Sequence, residues 1–198
     1  MTQAGQGKKD IFTQTLDDAQ GIVGTALSGN TQWSLEAYRD TGVVIPWLRH
    51  NQDDFVQLII QFSHNRELDT VLDSIHVHVV PGGTVNGDTY WTWAYTWIPV
   101  NQVIPAIASW TSGTTTVPLL AADQWEHQIV TLVSNVAAPG TDGYSSILLL
   151  KATREATNVL DTYDSSKDEG TAANNLGILY LDAHYRSNSN GSYQEFTD

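Results

Sequence analysis

Val71-Leu72-Asp73-Ser74-Ile75-His76-Val77-His78-Val79-Val80, closed by Pro81-Gly82-Gly83, is the stretch on which the fold turns. Successive side chains of an extended chain point to opposite faces, so Ile75, Val77 and Val79 share one side and His76 and His78 the other. Proline has no N–H to donate and glycine permits a turn, which ends the strand. Thr89 to Ile98 follows, with Trp91, Trp93, Tyr95 and Trp97 on one face and Tyr90, Thr92, Ala94 and Thr96 on the other. The intervening Gly82 to Asp88 contains Asn86-Gly87, so the two strands read as an antiparallel hairpin with a longer loop.

The same period extends outward. In Asp54 to Ser63, Val56, Leu58, Ile60 and Phe62 alternate with Phe55, Gln57, Ile59 and Gln61. Glu126 to Val133, Ser145 to Arg154 and Gly177 to Arg186 are further strands. The connector Ala137 to Gly143 is short enough to join residues 126–133 and 145–154 as a hairpin. Thr41 to Leu48 is a candidate strand that Pro46 would confine to a sheet edge. Thr114 to Leu120 is another candidate, and Ala152 to Leu160 a candidate helical turn. Six to eight evenly spaced strands without an amphipathic helical period predict an all-β antiparallel β-sandwich or jelly roll. Residues 31–198 form one such domain. Residues 1–30, where Ile11, Phe12, Leu16, Ile22, Val23 and Leu27 are thinly spread, read as an extended N-terminal arm that orders on the domain or on neighbouring subunits.

Composition narrows the function. The formal net charge is −13 and only nine residues are Lys or Arg, scattered apart from Lys8-Lys9. Phosphate backbones are gripped by clustered cations, so no nucleic-acid partner is expected. There is no cysteine, which excludes disulfides and thiolate chemistry. No run approaches the ~18 apolar residues of a membrane span and residues 1–10 lack an apolar signal core, so no membrane partner or secretory route is expected.

His76-Val77-His78 is the sharpest local feature, since histidines two apart on a strand project to one side and can bind a metal jointly. Cupin sheets use such a pair. A cupin site also wants a glutamate a few residues later, and Val79 to Asp88 has none. His184 could complete a three-histidine set if its strand lies nearby. Histidines packed on aromatic neighbours and satisfied by hydrogen bonds are the ordinary state, so no metal and no cofactor is assigned, with His76, His78 and His184 as the candidate ligands. The Trp91/Trp93/Tyr95/Trp97 ladder suits either a sugar-stacking platform or a sandwich core, and core is the expectation. Asp17-Asp18, Asp53-Asp54 and Asp168-Glu169 read as solvated loop charges, because adjacent side chains on extended chain diverge. Asp161, Asp164 and Asp168 match calcium-loop spacing only superficially. Gly-x-Ser-x-Gly, P-loop, Gly-x-Gly-x-x-Gly and His-Glu-x-x-His motifs are all absent, so no catalytic residue is assigned and no enzyme is expected.

Two separated stretches carry a resemblance. Asp73 to Pro81 with the aromatic strand Tyr90 to Trp97, and Leu179-Tyr180-Leu181-Asp182-Ala183-His184-Tyr185-Arg186 ending in Gly191 to Phe196, together resemble a poorly characterised family of tailed-phage virion proteins. That family carries a His-x-His strand, an aromatic strand after it and a closing His-Tyr strand. It tends to have a proline before the first histidine and an aromatic after the second, where this chain has Ile75 and Val79. The resemblance covers residues 54–198. It implies a jelly-roll-like structural protein of the virion, a capsid decoration or cement protein or another head, neck or tail component. Its partners would be the major capsid protein or other virion proteins, and it would form a homo-oligomer, with a trimer as the first guess. A lectin-like carbohydrate-binding module of a receptor-binding tip is the alternative, and a cupin-like metal-binding protein a third reading.

Overall fold

The alternation produces ten strands in the computed structural model, which describes residues 8–15, 34–38, 41–49, 52–61, 72–137, 146–163 and 176–187. They are β1 (Lys8–Thr15), β2 (Ser34–Ala37), β3 (Val44–Leu48), β4 (Asp53–Gln61), β5 (Leu72–Pro81), β6 (Gly87–Ile98), β7 (Thr111–Leu119), β8 (Gln128–Val136), β9 (Ile147–Glu155) and β10 (Leu176–Ser187). One sheet runs β2-β3-β10-β5-β8, with β1 also paired to β10, and the other runs β4-β9-β6-β7. Every pairing is antiparallel. From β3 to β10 the chain changes sheet at every connection except β6 to β7. That winding, with β3-β10-β5-β8 over β4-β9-β6-β7, is a jelly-roll β-sandwich. No helix among the described residues is long and apolar enough to cross a membrane.

The inward faces are the ones the alternation marks. Val56, Leu58 and Ile60 of β4, Ile75, Val77 and Val79 of β5, Val130 and Leu132 of β8, Leu148 and Leu150 of β9 and Ile178 and Leu181 of β10 share one buried cluster. The aromatic ladder also faces this interior: Trp91 is fully buried, Tyr95 nearly so, and Trp93 and Trp97 pack against the cluster. Each such side chain removed from water stabilises the fold by about 1.5–3 kcal/mol, more for tryptophan, before the entropy of ordering is set against it.

Several expectations are corrected. β5 and β6 are not a hairpin, nor are β8 and β9. The members of each pair lie in opposite sheets. A glycine-containing loop of several residues serves equally as the corner between sheets, and alternation says which face is buried without naming the partner strand. β3 is not an edge strand, since β2 flanks it on one side and β10 pairs with Trp47 and Leu48 on the other. Pro46 lies one residue past that pairing with β10, where its missing donor is tolerated. Ala152 to Leu160 is not helical: β9 continues to Glu155, and hydrogen-bonded turns follow, with Asn158 N donating to Glu155 O and Asp161 N to Asn158 O. Within the stretch read as an arm, residues 8–15 form β1 on β10, from Lys8 opposite Ser187 to Thr15 opposite Tyr180.

Asp54, read as a solvated charge, is buried, and so is Arg154. Asp54 accepts from the Arg49 backbone amide at 2.8 Å and from Arg49 Nε at 3.0 Å, and this carboxylate raises the Arg49 pKa. Arg154 projects from β9 into the interior and is held by Asp161 through two bonds, Nε to Oδ2 at 2.9 Å and Nη2 to Oδ1 at 2.8 Å. Its Nη2 also donates to Tyr163 O at 2.8 Å. Residues 162–163 in turn lie against the start of β6, where both backbone amides donate to Asp88 O. A Cβ on Gly87 would stand 2.7 Å from Tyr163 Cα, so this close approach requires glycine. Asp17-Asp18, Asp168-Glu169 and Asp164 lie outside the described residues.

Candidate functional site: a histidine–aspartate cluster

On the outward face of the larger sheet, β5 and β10 run side by side with Asp182 opposite His76 and Tyr180 opposite His78. Alternation places His76 and His78 on one face of β5, and Tyr180, Asp182 and His184 on the same face of β10. The three histidines singled out in the sequence therefore do converge, and they converge on Asp182. His76 Nδ1 lies 3.6 Å and His78 Nε2 3.2 Å from Asp182 Oδ1, and His184 Nε2 lies 2.9 Å from Asp182 Oδ2. The rings of His76 and His184 meet edge to face at 4.6 Å. This enclosure leaves Asp182 only 3% exposed although it lies on an outer face.

A fourth histidine joins from the loop before β8. His127 Nε2 is 2.6 Å from His78 Nδ1, with the two rings stacked at 4.8 Å. Burial and the neighbouring His78 push the His127 pKa down, against the smaller opposing pull of Asp182, which favours the neutral ring. The loop is pinned two residues earlier. Trp125 N donates to Pro81 O at 2.9 Å, Tyr38 Oη donates to Trp125 O at 2.6 Å, and the Trp125 ring stands edge-on to Trp47 at 5.8 Å. Trp125 takes φ 65°, a conformation bulky residues rarely adopt, so this packing holds the backbone in a strained turn.

Sequence reasoning missed Asp182 and His127. Asp182 was legible in principle, because it stands two residues before His184 on the same strand face. Nothing local marks His127, whose approach depends on the loop.

Two other surface features lie on and around the smaller sheet. A groove of about 370 Å³ on its outer face is lined by Thr92, Ser112, Thr114, Thr153 and Lys151 together with Trp93, Ala94, Ile107 and Gly113. Exposed aliphatic side chains collect beyond both ends of β6. Val100, Val103 and Ile104 lie in the segment that follows its last residue, with Val103 89% exposed. Val159 and Leu160, with Val159 88% exposed, precede Asp161 to Tyr163, which bond to Asp88 and Tyr90 near its first residue.

No protein family matches the sequence, and no curated protein matches it. Among solved structures the chain is similar to the carbohydrate-binding module TmCBM61, solved in complex with beta-1,4-galactotriose, at 10% identity over 73% of this chain and 70% of that one, with a TM-score of 0.31. At that distance the likeness carries no argument about what this chain binds.

Proposed function

We propose that the chain is a non-enzymatic structural protein of a phage virion, a capsid decoration or cement protein or another head, neck or tail component, and that it acts by gripping neighbouring subunits. The observation that carries this is the pair of exposed aliphatic clusters at the two ends of β6. Scattered single exposed apolar residues are ordinary, but Val100, Val103 and Ile104, three exposed aliphatic side chains within five positions of one segment, are the kind of feature that marks protein contact sites. Exposed aliphatic side chains on segments at the two ends of one strand suit a bridge between two neighbours. Binding an assembled shell and not its loose subunits shifts the equilibrium toward the shell, which is how such a protein stabilises a particle without chemistry. The virion setting itself rests on the resemblance carried by Asp73 to Trp97 and Leu179 to Phe196. The major capsid protein or another virion protein is the partner this reading names, with a homotrimer as the form in which the chain is presented. The test is quantitative mass spectrometry of purified particles. A fixed number of copies per particle, in the hundreds for a shell role and about a dozen or fewer for neck or tail, supports the reading. Absence of the polypeptide from particles contradicts it.

A second reading, a lectin-like module of a receptor-binding tip, is favoured by the groove on the smaller sheet, where an aromatic ring, Trp93, lies among Thr and Ser side chains and Lys151. Its platform would be that groove, which Trp93 of the ladder helps to line, while Trp91 and Tyr95 are buried in the core. Glycan-array binding that is lost in Lys151→Ala with folding retained would select it.

A further inference from the structure

We propose that His76, Asp182 and His184, with His78 beside them, form a binding site for a zinc-class divalent metal ion that ties β5 to β10. One candidate ligand atom from each of His76, Asp182 and His184 falls within 4.8 Å of the others. Zinc bonds to imidazole nitrogen and carboxylate oxygen at about 2.0–2.2 Å in a tetrahedral set, which separates neighbouring ligand atoms by about 3.3–3.5 Å. The nitrogen-to-oxygen separations around Asp182, at 2.9, 3.2 and 3.6 Å, bracket that spacing. The 3.2 and 3.6 Å separations, from His78 and His76, are to Asp182 Oδ1 and the 2.9 Å one, from His184, is to Oδ2, so the carboxylate stands between imidazoles of two adjacent strands near the spacing an ion would set.

An unsatisfied group points the same way. Asp182 Oδ1 and His78 Nε2 are both buried, and neither makes a hydrogen bond although they are 3.2 Å apart. A buried carboxylate oxygen without a partner is costly, so a site of hydrogen-bonded histidines alone leaves this oxygen unexplained. A cation at the centre of the cluster accounts for it, because carboxylate oxygen and imidazole lone pairs then face one positive charge. The donor set selects the class of ion. Calcium and magnesium want six or more oxygens, whereas one carboxylate among several imidazoles suits zinc and its transition-metal neighbours. When His78 Nε2 faces the ion, its Nδ1–H donates to His127 Nε2, the outer support that orients metal-binding histidines.

The experiment uses the full chain, stripped with a chelator and titrated with zinc chloride by calorimetry and thermal melting. One zinc per chain and a melting temperature that rises with zinc are expected. Neither heat nor stabilisation, or an equal response to calcium or magnesium chloride, would overturn the proposal. The position is read without substitution by carbethoxylation of histidines and peptide mapping. Protection of His76 and His184 by bound zinc is expected, and unchanged modification places any zinc elsewhere and overturns the site. In His184→Gln, with its circular dichroism unchanged, affinity should fall at least about tenfold, and undiminished affinity counts against the site.

Discussion

Removing Asp161 should unfold this protein more readily than deleting most of its core side chains. Arg154 is fully buried, and Asp161 is the one acidic partner bonded to it among the described residues, through two N–H···O bonds of 2.8–2.9 Å. The same carboxylate accepts from the Tyr90 amide at 3.0 Å, so it also fastens the turn after β9 to β6. In Asp161→Ala the guanidinium keeps its hydrogen bond to Tyr163 O and its place over the Tyr163 ring but loses its counterion, and a buried charge left without one costs about 3–5 kcal/mol. Replacing both residues by apolar ones, as in Arg154→Met with Asp161→Leu, removes the charge and should recover much of that loss, since a well-packed apolar pair can equal a buried ion pair. Urea denaturation followed by fluorescence of the seven tryptophans measures Asp161→Ala, the double variant and its two single components Arg154→Met and Asp161→Leu, with the slope checked to confirm that compactness is unchanged. The reasoning is refuted if Asp161→Ala loses less than about 1 kcal/mol, or if the single substitutions simply add in the double variant.

Other outcomes follow from the same packing. Trp91→Ala, at a fully buried position with its indole N–H bonded to Thr89, should lose about 3–5 kcal/mol in the same urea assay. Gly87→Ala drives a methyl group into the backbone of residues 162–163 and should cost about 1–3 kcal/mol, seen as a lower urea midpoint. Val159→Ser changes an exposed side chain and should leave the midpoint within about 0.5 kcal/mol of the parent.

The fold class was legible because a sandwich buries one face of each strand, and that face is written every second residue from Val56 to Leu181. Strand pairing was not. Pro81 to Asn86 and Ala137 to Gly143 carry the turn chemistry of hairpins, yet in a jelly roll the same chemistry makes corners between sheets. Pro46 misled because a ladder can stop within a strand, and residues 8–15 because a strand added to β10 needs little apolar content of its own. Asp54 read as a solvent charge, and Asp161 as part of a superficial calcium-loop spacing, because nothing local shows that Arg49 and Arg154 face them. His76, His78 and His184 were visible as a set through their spacing and strand faces. Their convergence on Asp182 depends on the β5–β10 register, which no local signal specifies.

Binding through the loops at the ends of β6 is tested most directly by adding purified chain to particles assembled without it and counting bound copies against concentration. Saturable binding is expected for the parent. The double substitution Val103→Ser with Ile104→Ser should bind at least about tenfold more weakly while its urea midpoint stays unchanged, because both side chains already face solvent in the free protein. Equal binding by parent and variant, or no saturable binding by the parent, would contradict the proposed mode of action.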